Sequence, residues 1–296
     1  MKFKSLAAGA ALAALVSAAV AGPAGAVVIS NGQFSVGINE YGQLYDSGVG
    51  FRRDADGADV ISPGTAREAW GLNADYADLE FYGVSGVTAG SFDFTADSAL
   101  VSVLTDGGFL VTQSFEFVAP NILGIVTQVT NTTGGDLSAL FQRVVDFDAS
   151  ALEPETDNVS GVYGPGGFES GFFGFEDPSP LSGAFLGPCD GGCDETGDNG
   201  AAIRLNLGVL GAGQSRSFTY FYGLGAVGQS RDELIAQTLG AGAGNVLAAV
   251  SQDGSVSATM GAAMSAAVPE PATWAMMLLG FFGLGGMLRR RQAALA

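Results

Sequence analysis

The side chains able to do chemistry in this 296-residue chain are carboxylates, a few arginines, tyrosines and two cysteines; there is no histidine. That absence removes Ser-His-Asp and Cys-His nucleophile systems and any His-ligated zinc or iron centre. Three clusters remain. Arg67, Glu68 and Trp70 in TAREAWG set a charge pair beside an aromatic ring on an expected loop, a combination suited to sugar contact, since sugars offer C–H faces and hydroxyls together; the commoner reading is a core tryptophan beside a structural ion pair. Arg143, Asp146 and Asp148 lie in FQRVVDFD, where the two acids would share one face of a strand. Paired acids are the minimum for glycoside hydrolysis, but an ion pair or calcium ligation is the reading we prefer, so no residue is assigned as catalytic.

The third cluster is GPCDGGCDETGDNG. In an exported chain, Cys189 and Cys193 would close a small disulfide loop that pins a turn. Asp190, Asp194, Glu195 and Asp198 around it are candidate Ca²⁺ ligands, because calcium accepts oxygen donors in flexible geometry. A solvated Gly/Asp turn is the plainer reading, and no other cofactor is expected. DADGAD (54–59) fails as an EF-hand loop: its glycine stands fourth and its twelfth position is Thr65. GLGAVG (223–228) has dinucleotide-loop spacing without a strand-turn-helix setting and is set aside.

The elements that must position these residues read as strands. FLVTQSFEFV (109–118) alternates, with Phe109, Val111, Phe115 and Phe117 on one face and Thr112, Ser114 and Glu116 on the other. SRSFTYFYG repeats the pattern, and QFSVGIN, SFDFTAD, ALVSVLT, ILGIVTQVTN, ALFQRVVDF and AAIRLNLG are further short runs divided by Gly, Asn or Asp turns. NTTGGDLS (131–138) would form a hairpin or a sandwich corner. One helix is expected, RDELIAQTL (231–239), with acids early and apolar residues at helical spacing. The fold class is therefore all-β, a large sandwich spanning 27–240, with 151–200 as long loops carrying one or two strands (FESGFFGF) and 241–267 as a small-residue spacer.

Both ends carry addresses. Lys2 and Lys4, an apolar run and Ala24-Gly25-Ala26 read as a signal peptide over 1–26. At the other end, Ala272 to Leu288 is 17 residues without a charge, a helix of about 25 Å at roughly 1.5 Å per residue. Arg289, Arg290 and Arg291 follow it, which predicts a transmembrane helix with a cytoplasmic C-terminus and an exported body. Pro269-Glu270-Pro271 keeps the stretch before it extended and open to a processing enzyme. From Val27 to Val268 there are 29 Asp and Glu against 7 Arg, a difference of −22, which argues against nucleic acid as a partner.

With Pro269, Glu270, Pro271 and Trp274, the apolar span and the basic cluster in fixed order, the tail resembles the PEP-CTERM sorting signal of the PEPxxWA kind. That resemblance implies recognition and cleavage by an exosortase, an inner-membrane-anchored intermediate, and release to the cell surface or medium of a Gram-negative bacterium that makes exopolysaccharide. INEYGQLYDSGVGF, SPGTAREAWGL, VTNTTGGDLSALFQRVVDFD and LGAGQSRSFTYFYG resemble exported proteins of unassigned activity whose bodies look like supersandwiches of the galactose-mutarotase type. The lack of histidine weighs against a mutarotase-type acid/base arrangement. The preferred expectation is a non-enzymatic surface protein that binds polysaccharide; the alternatives are a carboxylate-using carbohydrate enzyme and a calcium-stabilised adhesin.

Overall fold

The computed structural model describes residues 25–79, 83–148, 157–162, 168–171, 177–181, 194–197 and 200–265. The expected signal peptide over 1–26, save its last two residues, and the sorting signal with its helix over 272–288 lie outside them, as do Cys189, Asp190, Cys193 and Asp198. Asp194 and Glu195 are described in backbone only. Among the described residues no helix is long and apolar enough to cross a membrane.

Eighteen strands and one helix make up the described chain. A three-stranded sheet holds β1 (Val27–Ser30), β2 (Phe34–Ile38) and β3 (Phe51–Arg53) in sequence order. A six-stranded sheet is built from β4 (Glu68–Leu72), β5 (Asp75–Asp78), β6 (Val84–Ser85), β11 (Leu137–Asp146), β13 (Phe168–Gly171) and β15 (Gly200–Leu210). Its order is β13-β15-β11-β4-β5-β6. The third sheet takes β7 (Val87–Phe94), β8 (Ser98–Thr105), β9 (Phe109–Ala119), β10 (Ile122–Asn131), β12 (Asp157–Val162), β14 (Asp194–Gly197), β16 (Ser215–Leu224), β17 (Asn245–Val250) and β18 (Ser257–Met264). Nine strands run there in the order β14-β12-β17-β18-β16-β10-β9-β8-β7.

Alternation decides which side chains meet between the large sheets. In β9, Phe109, Val111 and Phe115 point inward and are buried, while Leu110, Thr112 and Ser114 stay half-exposed. The six-stranded sheet answers with Trp70, Phe141, Ile203 and Leu205, all fully buried. Trp70 stacks on Phe141 at 5.6 Å with an interplanar angle of 5°, and Phe141 meets Phe218 of β16 at 4.9 Å. Aromatic pairs at such separations add to the area they bury. The Tyr220 hydroxyl donates across the sandwich to the Ile203 carbonyl at 2.9 Å. The all-β sandwich expected from the sequence is what forms.

NTTGGDLS proves to be a corner between sheets, since β10 before it and β11 after it belong to different ones. Asn131 holds the corner: its amide donates to Gly135 O at 2.6 Å and Leu210 O at 2.8 Å, and its Oδ1 accepts from Thr133 N. The expected helix is α1 (Arg231–Gly240), opened by a capping box in which Ser230 and Glu233 satisfy each other's backbone N–H groups. Leu234 and Ile235 on α1 pack with Ile122, Phe221, Val246 and Ala248 on the outward side of the nine-stranded sheet.

The spacer expected over 241–267 is not a spacer. Its residues form β17 and β18, which pair with each other and insert β18 beside β16. Small residues serve close packing here: a Cβ on Gly261 would stand 2.7 Å from Asn245 O and 2.9 Å from the Ala243 methyl. The β17–β18 turn is tied by Asp253, which accepts from Ser251 Oγ at 2.7 Å and Ser255 N at 2.9 Å. The serine bonds lower its pKa to about 2.

A chain ending at Gly244 therefore loses two strands from the middle of a sheet and is expected to be insoluble or to lack a cooperative melt. A chain ending at Ser265 should melt like the longer protein, as circular dichroism on both would establish. Cooperative melting of the shorter chain would contradict the assignment of β17 and β18 to the core.

Candidate functional site

The chemistry-bearing groups that the fold brings together lie inside the sandwich. Glu68 opens β4 and Arg143 stands in β11, on neighbouring strands, both with inward side chains and no exposed surface. Arg143 Nε donates to Glu68 Oε1 at 2.5 Å. Arg143 Nη1 donates to Gln113 Oε1 of β9 at 2.7 Å, and Nη2 to the Gly42 carbonyl at 2.8 Å. The second carboxylate oxygen, Glu68 Oε2, accepts from the Leu44 amide at 2.8 Å, and the Tyr222 hydroxyl of β16 donates to Oε1 at 3.0 Å. The guanidinium carbon also lies 5.7 Å from the centre of the Tyr222 ring.

One network thus joins both large sheets to the segment 39–44 that follows β2. Trp70 Nε1 donates to Tyr41 O at 2.8 Å, Gln113 Nε2 to the same carbonyl at 3.3 Å, and Gln43 Nε2 to Glu68 O at 3.1 Å. The segment keeps its shape through Asn39, whose Oδ1 accepts from Tyr41 N and Gln43 N. Gly42 turns with φ of 78°, and a Cβ there would collide with the Gln113 amide. The position therefore takes glycine on two counts.

Electrostatics follow from burial. Desolvation pushes the Glu68 carboxyl up, against the pull of Arg143, Leu44 N–H and Tyr222 O–H. Burial, then the Glu68 charge, pushes the Tyr222 phenol well above its ordinary range. Tyr220 is raised for the same first reason. A carboxylic acid, a phenol and a guanidinium would suit proton transfer in a cleft, but with 0 % of Glu68 and Arg143 exposed no substrate reaches them. Their arrangement is that of a structural ion pair.

The sequence-predicted sugar contacts end up apart. Strand alternation sends Glu68 and Trp70 into the core with 0 % exposure, and Arg67, 5 % exposed, lies 3.9 Å from Asp78 instead. The expectation of a charge pair on a loop is corrected: Glu68 belongs to a strand, and its partner is Arg143, 75 positions away. Neither Glu68 nor Trp70 has a face to offer a sugar. Asp148 is 3 % exposed, with its amide on Val60 O, and half-buried Asp146 sits at the end of β11 with its amide on Arg67 O. Gln113 and Tyr222 were not anticipated as site residues, although a glutamine inside the apolar face of FLVTQSFEFV was the available signal.

Outside the core, DADGAD is a turn, as expected. Asp59 accepts from Gly50 N, Ile61 N and Ser62 N, each at 2.9 Å, and Asp56 pairs with Arg53 at 2.7 Å. A cavity of about 380 Å³ opens beside it between Phe34, Arg53, Asp54 and Val227. Arg53 is committed to Asp56 and the Gly225 carbonyl, and Asp54 to the Ser35 hydroxyl, so the polar groups already serve the fold. Among the described residues no group of three or more acids or cysteines is placed to hold a metal ion.

The signal that comparison recognises lies in the tail. Residues 267–292 match the model of the PEP-CTERM protein-sorting motif. The chain carries a PEP-CTERM signal. This implies an exported protein, sorted by an exosortase through a membrane-anchored intermediate. No curated protein matches the chain. Among solved structures it is similar to a galactose mutarotase-like protein from Lactobacillus casei ATCC 334, at 12% identity over 80% of this chain and 87% of that one, with a TM-score of 0.40. A protein from Escherichia coli K12 assigned as an aldose 1-epimerase gives 13% identity, the same coverages and a TM-score of 0.34. Both scores lie below 0.5, and the sandwich described above rests on this chain's own strand order and burial.

Replacing Glu68 by Gln leaves Arg143 as a buried charge without its counter-ion, and the expected loss of stability is about 3–5 kcal/mol. Glu68→Met with Arg143→Leu should lose less than either single change, because no unpaired charge remains. Urea unfolding of the parent, Glu68→Gln, Arg143→Leu and the double variant measures both. A Glu68→Gln protein as stable as the parent would show that the pair does not hold the core.

Proposed function

We propose that this is a non-enzymatic, exosortase-sorted protein whose β-sandwich is displayed at the surface, or released from it, in a Gram-negative bacterium. The observation that carries the reading is the PEP-CTERM motif at 267–292. In this account residues 1–26 are removed on export, and the apolar span 272–288 holds the chain in the inner membrane with Arg289, Arg290 and Arg291 on the cytoplasmic side. The exosortase then cuts near Pro269-Glu270-Pro271. Burial of Glu68 and Arg143 supports a display role over a catalytic one, since the carboxylate best placed for acid/base work cannot be reached. Exopolysaccharide is the partner proposed for the displayed body. A disulfide between Cys189 and Cys193 and a calcium ion among Asp190, Asp194, Glu195 and Asp198 remain proposals for that loop.

The protein made in an exosortase-bearing strain, and in the same strain with the exosortase gene deleted, provides the test. Intact mass should show a product lacking the tail in the first and a longer, membrane-bound chain in the second. Changing Pro269, Glu270 and Pro271 to alanine should reproduce the second result in the first strain. Equal masses in both strains would refute exosortase processing.

A further inference from the structure

Among the described residues helix α1 covers the outward side of the nine-stranded sheet near Phe221 and Val246, whereas three rows of outward side chains on β8, β9, β10 and β16 stay half-exposed or exposed. Register aligns the outward residues of those four strands into rows. Ser102 stands opposite Thr112, Thr112 opposite Gln128, and Gln128 opposite Ser217. The rows on either side hold only Leu, Val, Ser and Thr, and include Leu100 and Leu104, which are 39% and 49% exposed. At their rim Asp93 of β7 stands opposite Leu100, and Glu116 lies one row beyond, opposite Ser98. Within these four strands no charged side chain interrupts the three rows. That is unusual on a body carrying 29 acids and 7 arginines.

The absence of charge narrows the partner. A polyanion is repelled by the body as a whole, and a polycation finds acids only at the rim, Asp93 and Glu116, and none among the rows themselves. A second copy of the chain is disfavoured by area. Four strands about 4.8 Å apart and three rows about 6.8 Å apart give roughly 390 Å², about half of the approximately 800 Å² per partner of a standard interface. What fits is an uncharged polymer that needs only a strip: hydroxyls and an amide at strand spacing, flanked by leucine methyls. Sugar rings present equatorial hydroxyls at their edges and C–H surfaces on their faces.

We propose that this four-strand face binds a neutral polysaccharide chain, with the Ser102–Thr112–Gln128–Ser217 row meeting hydroxyls and Leu100 and Leu104 meeting ring faces. The proposal deepens the display reading and rests on it, because only an exported body meets such a polymer.

Retention of the full-length chain, purified in detergent, on insoluble β-glucan and on alginate beads tests it. Retention on the glucan and not on alginate is expected. Leu100→Glu with Leu104→Glu, at exposed positions, should cut glucan retention at least tenfold with an unchanged melting temperature. Val227→Glu, exposed on the β16–α1 connection, should leave it intact. Glucan retention that ignores the two leucine changes would overturn the proposal, as would preference for alginate or no retention by the parent. So would a dimer on light scattering that the leucine changes dissolve, which would make the face a contact between copies. Each result is independent of whether the exosortase trims the tail.

Discussion

A carboxylate and a guanidinium without access to water are costly to bury, and they are tolerated only where every donor and acceptor is answered. In this protein the Glu68–Arg143 pair dictates much of what surrounds it. Gln113 supplies an amide oxygen from the opposite sheet, Tyr222 a hydroxyl from the same sheet as Gln113, and the segment after β2 a carbonyl at Gly42 and an N–H at Leu44. Because those donors and acceptors come from separate parts of the chain, the pair sets how the sheets and the segment 39–44 seat against one another. A purely apolar centre would press the sheets together without specifying their register. Here the apolar stack of Trp70, Phe141 and Phe218 supplies burial, and the polar network beside it fixes the fit.

This constraint bears directly on function. Buried groups whose protonation is shifted, such as Glu68, Tyr220 and Tyr222, are the kind that mark active sites when they line a cleft. Sealed in the core, they are structural. What the described body offers to its surroundings is an acidic surface and one uncharged stretch of sheet. The chemistry that decides where the protein goes belongs to the PEP-CTERM tail.

How much of this could be read from the sequence varied with the kind of signal. FLVTQSFEFV announced its strand through period-two alternation, and Ser230 to Glu233 announced the start of α1. The sorting signal was legible because three unlike parts occur in a fixed order. The polar core was not, since its members are scattered from position 42 to 222 and only the strand order joins them. Arg67 and Glu68 looked like a pair because they are adjacent, yet adjacency on a strand means opposite faces. The misreading of 241–267 has a similar origin: alanine, glycine and serine suggest a loose linker, while Gly261 is small because a carbonyl and a methyl leave no room for more.

Hydrogen–deuterium exchange on the segment 39–44 tests most directly whether the buried pair organises the body. If Leu44 N–H is held by Glu68 and the neighbouring carbonyls by Arg143 and Trp70, peptides covering this segment will exchange as slowly as those of β9 and β11, despite having no strand partner. Rapid exchange there, with β9 and β11 still protected, would mean that the sandwich stands without the network and that the pair is a passenger in the core.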